Sequence, residues 1–254
     1  MTKIILIGCN GRMGKTISEY VKCLDGVEIS AGVDVCDEQN YDYHVYTDIN
    51  AIEEPDGVIV DFSNRSFTKT VLDYAVKHNI PSVICSTGHT PEEIKFIEET
   101  ASKIPVFRSA NMSLGINLLV LLAKNAASLL ENSFDIEIIE KHHNQKLDAP
   151  SGTALLIADA INESLSYDAQ YTYDRHKEHK KRQREEVGIH SVRGGTIVGE
   201  HEVIFAGQDE IITLSHRADS RLVFAKGAIE AASFIKSRPV GLFDMNSLLA
   251  EKLK

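Results

Sequence analysis

The chain has 254 residues, of which 43% are hydrophobic and 25% charged, a composition typical of globular proteins that excludes a disordered chain. Its formal net charge of −10 at pH 7 makes the chain as a whole repel nucleic acids and anionic membrane surfaces, so neither is an expected partner. Any anionic ligand must therefore bind in a locally cationic pocket.

Neither a membrane span nor a secretion signal is expected. The apolar run after Lys3 contains only four residues before Gly8, which is too short for a signal peptide. The cysteines include no C-x-x-C pair, which argues against a disulfide framework or a zinc site. They are Cys9, Cys23, Cys36 and Cys85. A reducing cytoplasm is the expected compartment.

The first hundred residues alternate between short apolar runs and helical patterns, which predicts crossover units and a mostly parallel sheet covered on both faces. The predicted strands are Lys3–Ile7, Val27–Val33, Gly57–Asp61, Ser82–Ser86 and Val106–Arg108. Helices are predicted at Met13–Leu24, at Ser66–His78 and from Thr90, where a capping threonine precedes a proline and two acids.

The pattern changes after a predicted helix at Gly115–Leu130. Alternating half-buried strands then predict an antiparallel or mixed sheet with one open face. These strands are Phe134–Lys141, Gly188–Arg193, Thr196–Phe205 and Glu210–Arg217, and they are followed by helices at Arg221–Ser237 and Met245–Lys252. The predicted fold is therefore α/β. A Rossmann-like domain (residues 1–109 and 221–254) carries an inserted α+β domain (residues 110–220).

A glycine-rich turn, Gly8-Cys9-Asn10-Gly11-Arg12-Met13-Gly14, follows the first strand and opens the first helix. Glycines at such a turn let the backbone approach a pyrophosphate at the helix N-terminus. By itself the motif is also compatible with a plain tight turn. Asp34, at the end of the second strand, lies where an acid binds the adenosine ribose. No arginine follows Asp34, which favours NADH as the cofactor and leaves NADPH as the alternative.

Three strands of the first half end in small polar residues. These ends are Asp61-Phe62-Ser63, Cys85-Ser86-Thr87-Gly88 and Ser109-Ala110-Asn111-Met112. Because ligands of open parallel sheets bind outside the carboxyl ends of the strands, these residues are candidates to contact ribose and nicotinamide. The competing interpretation is that they only form turns.

The segment from His142 to Thr153 contains the highest concentration of candidate acid–base and anion-binding residues in the chain. Lys146 provides a positive charge and a candidate proton donor. The amides of Gly152 and Thr153, at a predicted helix start, form a second anion site. Neighbouring residues on a regular strand point to opposite faces, so His142 and His143 are not expected to share a pocket unless the strand ends there. A metal site is the less favoured interpretation of this pair.

A basic run, Arg175–Arg184, interrupts the otherwise acidic chain. Most runs of this kind are solvated loops, and a mobile flap over an anionic ligand is the alternative.

Taken together, these motifs resemble the 4-hydroxy-tetrahydrodipicolinate reductase (dihydrodipicolinate reductase) family of lysine biosynthesis through diaminopimelate. The resemblance runs nearly end to end. Its motifs are the glycine turn, Asp61-Phe62-Ser63, the stretch from His142 to Thr153, His190–Gly195 leading into Val198–His201, and Gly241–Met245.

The resemblance implies roles for individual residues. His142 is implied as proton donor or acceptor and Lys146 as proton donor, while His143, Gly152 and Thr153 are implied to hold the carboxylates of a heterocyclic dicarboxylate substrate. The implied cofactor contacts are Gly8, Cys9, Asn10, Gly11, Arg12, Met13, Asp34, Cys85, Ser86, Thr87, Ser109, Ala110, Asn111 and Met112. A homotetramer associating through the inserted domains, with hinges near Ser109 and Arg221, is also implied.

The sequence departs from the family pattern at two strand ends. The family often has Gly-Thr-Thr where this chain has Cys85-Ser86-Thr87, and Ala-Pro-Asn-Phe where it has Ser109-Ala110-Asn111-Met112.

Two rival functions remain open. One is another two-domain dehydrogenase acting on an amino acid or a semialdehyde. The other is a non-catalytic dinucleotide sensor, which needs no acid–base groups beside the nicotinamide.

Overall fold

The computed structural model describes residues 1–37, 40–177 and 179–253. The chain divides into two compact units. The first comprises Met1–Leu114 and Arg221–Lys254, and the second comprises Gly115–Ser220. The first unit therefore includes residues 110–114, where the sequence predicts the start of the inserted domain.

The strands and helices are numbered in chain order. The strands are β1 (Thr2–Ile7), β2 (Val27–Val33), β3 (Val45–Tyr46), β4 (Val58–Asp61), β5 (Ser82–Ile84), β6 (Pro105–Arg108), β7 (Asp135–His142), β8 (Gln170–Thr172), β9 (Glu186–Arg193), β10 (Gly199–Ala206), β11 (Ile211–Ala218) and β12 (Gly241–Phe243). The α-helices are α1 (Arg12–Val21), α2 (Thr68–His78), α3 (Pro91–Ala101), α4 (Leu114–Leu130), α5 (Gly152–Asn162), α6 (Leu222–Ile235) and α7 (Met245–Lys252).

The first unit is built on a parallel sheet with the strand order β12-β6-β5-β4-β1-β2-β3. Alternate residues of β1 enter opposite cores. Ile4 and Leu6 pack with α1 and α6 on one face, whereas Ile5 and Ile7 pack with α2 and α3 on the other. All four side chains are fully buried, each contributing about 2 kcal/mol. This burial explains why the strand sequence is continuously apolar.

The second unit contains a mixed sheet with the strand order β11-β10-β7-β9-β8. The β7–β10 and β10–β11 pairs are antiparallel, whereas the β7–β9 and β8–β9 pairs are parallel. Ile136, Ile138, Val203 and Phe205 point from one face into a core shared with α4 and α5. Alternate residues of β7 on the other face are partly or fully exposed, as half-buried strands require.

The predicted α/β architecture is confirmed, but several strand bounds differ. The sequence patterns missed β3, β8 and β12, whose two or three residues are too few to show a period. The strand predicted at Thr196–Phe205 begins only at Gly199, because Gly194 to Val198 form the turn before it. Among the helices that the structure describes, none combines the length and apolar character needed to cross a bilayer.

Candidate active site

A cleft of about 700 Å³ opens in the first unit where the strand order changes direction, at the carboxyl ends of β1 and β4. Crevices at such switch points are the usual ligand sites of open parallel sheets. The residues lining it are Ile7, Gly8, Asn10, Gly11, Lys15, Val33, Asp34, Val35, Cys36, Thr47, Phe62, Ser63, Asn64, Ser66 and Phe67.

Gly8 and Gly11 line this cleft, and Gly14 lets the start of α1 pack against the turn. Gly8 has φ +79°, and a Cβ at that position would lie 3.1 Å from the carbonyl of Phe62. A Cβ at Gly14 would collide with the carbonyl oxygens of Gly8 and Cys9. The α1 N-terminus, capped by Gly11, has no side-chain hydrogen bond. Its amides are thus available to an anion, as in pyrophosphate-binding turns.

Asp34 is fixed at the edge of the same cleft. Its Oδ2 accepts a hydrogen bond from the Asn10 amide at 2.8 Å, and its Oδ1 accepts one from the Val35 amide at 2.8 Å. Each carboxylate oxygen keeps a further lone pair for a hydroxyl group. The structure therefore brings the glycine turn and the predicted ribose-binding acid together. Lys15 also lines the cleft and is not among the residues predicted from the sequence.

Several predicted cofactor contacts do not place their side chains in this cleft. Met13 packs against the core between the sheet and α1, while Cys9, Cys85 and Met112 are buried in that core. These four residues therefore do not line the cleft. Other predicted contacts, which do not line the cleft either, are Arg12, Ser86, Thr87, Ser109, Ala110 and Asn111.

Asp61 holds the loop after β4. Its buried carboxylate accepts hydrogen bonds from the Ser63 amide at 2.8 Å and from Ser63 Oγ at 2.5 Å. Ser86 Oγ donates to the other carboxylate oxygen at 3.4 Å. Burial raises the pKa of Asp61, and the hydrogen bonds from Ser63 and Ser86 oppose that rise. Because Ser63 lines the cleft, Asp61 fixes part of the cleft wall.

In the second unit, the predicted acid–base residue His142 ends β7 beside a buried carboxylate. His142 Nδ1 is 2.6 Å from Glu140 Oε2. Arg193, at the end of the neighbouring strand β9, donates to both oxygens of Glu140 at 2.8 and 2.7 Å. Such a carboxylate holds Nδ1 as the protonated ring nitrogen and leaves Nε2 to exchange a proton. A Cβ at Gly199 would lie 3.2 Å from Nε2, so glycine keeps the space beside Nε2 open.

The electrostatics of this group favour an ionised Glu140 and a neutral His142. Burial alone would raise the pKa of Glu140, but hydrogen bonds from Arg193, His142 and Ser191 outweigh it and lower the pKa to about 2. Burial lowers the pKa of His142, although Glu140 opposes that effect. At neutral pH the uncharged form of His142 is therefore favoured, while Glu140 keeps its negative charge.

Ser151 connects Glu140 to the start of α5. The Ser151 amide donates to Glu140 Oε1 at 3.1 Å, and Ser151 Oγ caps the helix by accepting from the Ala154 amide at 3.1 Å. Gly152 and Thr153 form the first turn of α5, so their amides lie at the positive end of an 11-residue helix. The predicted carboxylate-binding amides of Gly152 and Thr153 thus come directly after Ser151, whose own amide is bonded to Glu140.

Lys146 and His143 lie in the loop between β7 and α5. Lys146 Nζ pairs with Asp148 Oδ1 at 2.9 Å, and Lys146 lowers the pKa of Asp148. The Lys146 amide donates to the His143 carbonyl at 3.1 Å, closing a turn. The strand ends at His142, so the alternation of a regular strand does not apply to His143. Both predicted residues are at least partly accessible.

Three residues of this group were not predicted from the sequence: Glu140, Arg193 and His201. Arg193 lies 53 residues from Glu140 in sequence, and only the parallel β7–β9 pairing brings the two together. The Glu-x-His spacing of Glu140 and His142 is a signal that was available, because residues two apart on a strand share a face.

The basic run is held at the opposite end of β7 from His142. Arg175 pairs with Glu137 at 2.6 Å and with Glu186 at 2.5 Å, and Arg182 pairs with Asp135 at 2.7 Å. Glu137 and His142 are about 17 Å apart along an extended strand. The run forms an exposed loop, in agreement with the solvated-loop interpretation, and ion pairs tie two of its arginines to strands β7 and β9; Glu178, inside it, lies outside the described residues.

Within residues 1–37, 40–177 and 179–253, no group of three or more His, Cys, Asp or Glu side chains is arranged to hold a metal ion.

Two family models match the chain in tandem. The model described as "Dihydrodipicolinate reductase, N-terminus" matches residues 2–112, and the one described as "Dihydrodipicolinate reductase, C-terminus" matches residues 115–249. The chain is 50% identical over 249 residues to a 4-hydroxy-tetrahydrodipicolinate reductase of Caldanaerobacter subterraneus subsp. tengcongensis, covering 98% of each protein. It is 47% identical to the one of Clostridium tetani, covering 98% of this chain and 97% of that relative.

Among solved structures, the chain is similar to a dipicolinate-bound dihydrodipicolinate reductase from Paenisporosarcina sp. TG-14. The two have a TM-score of 0.82 and 26% sequence identity, over 97% of this chain and 99% of that one. The chain therefore belongs to the dihydrodipicolinate reductase family.

Proposed function

We propose that this protein reduces 4-hydroxy-tetrahydrodipicolinate to tetrahydrodipicolinate, with loss of water, in lysine biosynthesis. A nicotinamide dinucleotide is the hydride donor. The observation that carries this proposal is the pair of sites in a member of this family: a glycine-lined cleft with Asp34 in one unit, and His142, Lys146 and the α5 N-terminus in the other. Neither rival function, another two-domain dehydrogenase or a dinucleotide sensor, explains why the second unit carries these acid–base and anion-binding groups.

The substrate site is proposed to bind two carboxylates with a helix terminus and basic side chains. The amides of Gly152 and Thr153 donate to one carboxylate, where the helix dipole favours negative charge. Lys146 and His143 supply the further donors. A dicarboxylate fits the requirement that an acidic protein build a local cationic pocket, and the Paenisporosarcina relative is described as dipicolinate-bound.

In the proposed reaction, the substrate ring loses its 4-hydroxyl together with one ring hydrogen as water, and it gains one hydride and one proton. The nicotinamide, when bound, supplies the hydride to a ring carbon. Lys146 is the proposed proton donor to the ring. His142 exchanges a proton through Nε2, because Glu140 holds Nδ1. A neutral His142 is able to accept a proton, whereas the lysine ammonium is able to give one.

The cofactor is proposed to be NADH. The first unit fits a dinucleotide, because Gly8 and Gly11 leave room for a pyrophosphate and Asp34 presents its carboxylate at the edge of the cleft. A 2′-phosphate placed against that carboxylate would be repelled, although Lys15 in the same cleft supplies one opposing charge.

This preference is tested by comparing both cofactors in the wild type and in Asp34→Asn. We expect wild-type kcat/KM to be about 10-fold higher with NADH, since one charge repulsion of roughly 1.4 kcal/mol gives a factor of ten. Asp34→Asn should weaken the binding of NADH and bring the kcat/KM values for NADH and NADPH closer together. Asp37→Asn, an exposed acid outside the cleft, should leave the ratio unchanged. Equal rates with both cofactors in the wild type would overturn the preference.

Thermal unfolding distinguishes the reductase from both rivals. We expect pyridine-2,6-dicarboxylate, a planar analogue of the substrate, to raise the melting temperature by several degrees in the presence of NADH. A ligand at 100 times its Kd stabilises the folded protein by about 2.7 kcal/mol. Pyridine-2-carboxylate, with one carboxylate, is the matched control and should have a much smaller effect. A dinucleotide sensor, or a dehydrogenase of a different substrate, should respond to neither.

A homotetramer and a cytoplasmic location complete the proposal. Val192 and Ile211 are exposed on the open face of the second sheet, which is the surface proposed to associate. All four cysteines are free thiols, which suits a reducing compartment. Sedimentation of the purified protein tests the tetramer.

A further inference from the structure

His201 is a buried histidine beside His142 and Ser151. The proposed reaction does not use it. It lies on β10, directly opposite Glu140 of β7 on one side and His216 of β11 on the other. Only 5% of its surface is exposed. A polar ring buried to this extent requires a partner.

The partner of His201 is the residue that caps α5. His201 Nε2 lies 3.1 Å from Ser151 Oγ. Among the described residues Nδ1 of His201 has no hydrogen-bond partner, so Nε2 provides the polar anchoring of the ring. Ser151 is thereby held from two strands: from β7 through its amide to Glu140 and from β10 through its hydroxyl to His201.

The ring of His201 also supports His142. The two ring centroids are 5.2 Å apart, with an interplanar angle of 74°, which is an edge-to-face contact. Burial, with the neighbouring His142, lowers the pKa of His201 to about 4. At neutral pH the ring is uncharged and does not compete with His142 and Arg193 for the charge of Glu140.

We propose that His201 is a positioning residue for substrate binding. Through Ser151 it fixes the first turn of α5, where the Gly152 and Thr153 amides bind a substrate carboxylate, relative to His142. This inference rests on the proposed function. The proposed role of His201 differs from a packing role because it requires the hydrogen bond to Ser151 and not only a ring of the right size.

The test compares His201→Phe, which keeps the ring and removes the hydrogen bond, with His201→Gln, which keeps a polar group. We expect His201→Phe to raise the Kd for pyridine-2,6-dicarboxylate and the KM for substrate about 10-fold, the usual effect of losing one buried hydrogen bond. The Kd for NADH should stay unchanged, kcat should change less than the KM, and His201→Gln should recover part of the affinity.

A double-mutant cycle with Ser151→Ala isolates the contact. If the hydrogen bond acts as proposed, His201→Phe has little further effect on dicarboxylate affinity once Ser151 is alanine. The control is His216→Phe, the same change at the cross-strand neighbour, which should leave affinity unchanged. Additive effects, or wild-type affinity in His201→Phe, would overturn the inference. If His201→Phe does not fold, the cycle with His201→Gln decides the question. Wild-type protein that binds the dicarboxylate without turnover would instead contradict the proposed function.

Discussion

Replacing Lys146 with alanine is expected to lower kcat by about 100-fold to 10,000-fold, the range typical of a lost general acid. NADH affinity should change less than about twofold, because Lys146 belongs to the second unit and the dinucleotide cleft lies entirely in the first. Steady-state kinetics and fluorescence titration of NADH measure the two effects separately. Equal losses in turnover and NADH binding would contradict the role of proton donor.

The variant Lys146→Arg separates charge from proton transfer. Arginine keeps the positive charge beside Asp148 but does not release a proton at physiological pH. Dicarboxylate affinity should therefore be largely preserved while turnover stays low. Lys124→Ala, which removes a surface lysine of the second unit paired with Glu163, is the matched control and should retain full activity. Substantial turnover by the arginine variant would show that Lys146 acts only through its charge.

The second large effect is expected from Glu140→Gln. This change removes the anion that fixes the Nδ1 proton of His142 and leaves Arg193 without its buried counter-charge. We expect kcat to fall by about 100-fold or more, as when a histidine-orienting carboxylate is neutralised. The free energy of unfolding should fall by about 3 kcal/mol, typical of a broken buried ion pair.

The pH dependence of stability provides an independent measurement of the same residue. The pKa of Glu140 lies at about 2, below the ordinary value of 4.5. The contribution of ionised Glu140 to the free energy of unfolding is thus fully present above pH 4.5 and is lost as the pH falls towards 2. Glu140→Gln should remove this part of the acid sensitivity. Glu137→Gln, on the same strand and also paired with arginines, should weaken stability but leave turnover intact.

Local patterns in the sequence predicted much of this protein because the chemistry there is local. The glycine turn and the α5 N-terminus each lie within a few residues, so spacing alone indicates their shape. The Glu140–Arg193 pair and the His201–Ser151 contact depend instead on the register of β9 and β10 against β7. No sequence period encodes that register. The ion pairs that hold the basic run escaped prediction for the same reason, since Glu137 and Glu186 lie on different strands.

The interrupted first unit has a consequence for synthesis. Helix α6 covers one face of the parallel sheet, where Ala228, Ala232 and Ile235 complete the core around Leu6 and Val60. Those residues follow the whole of Gly115–Ser220 in the chain. At a translation rate of 5–20 residues per second, the N-terminal segment waits roughly 5–20 s with that apolar face uncovered. The core on this face of the sheet therefore cannot be completed until the residues of α6 have been synthesised.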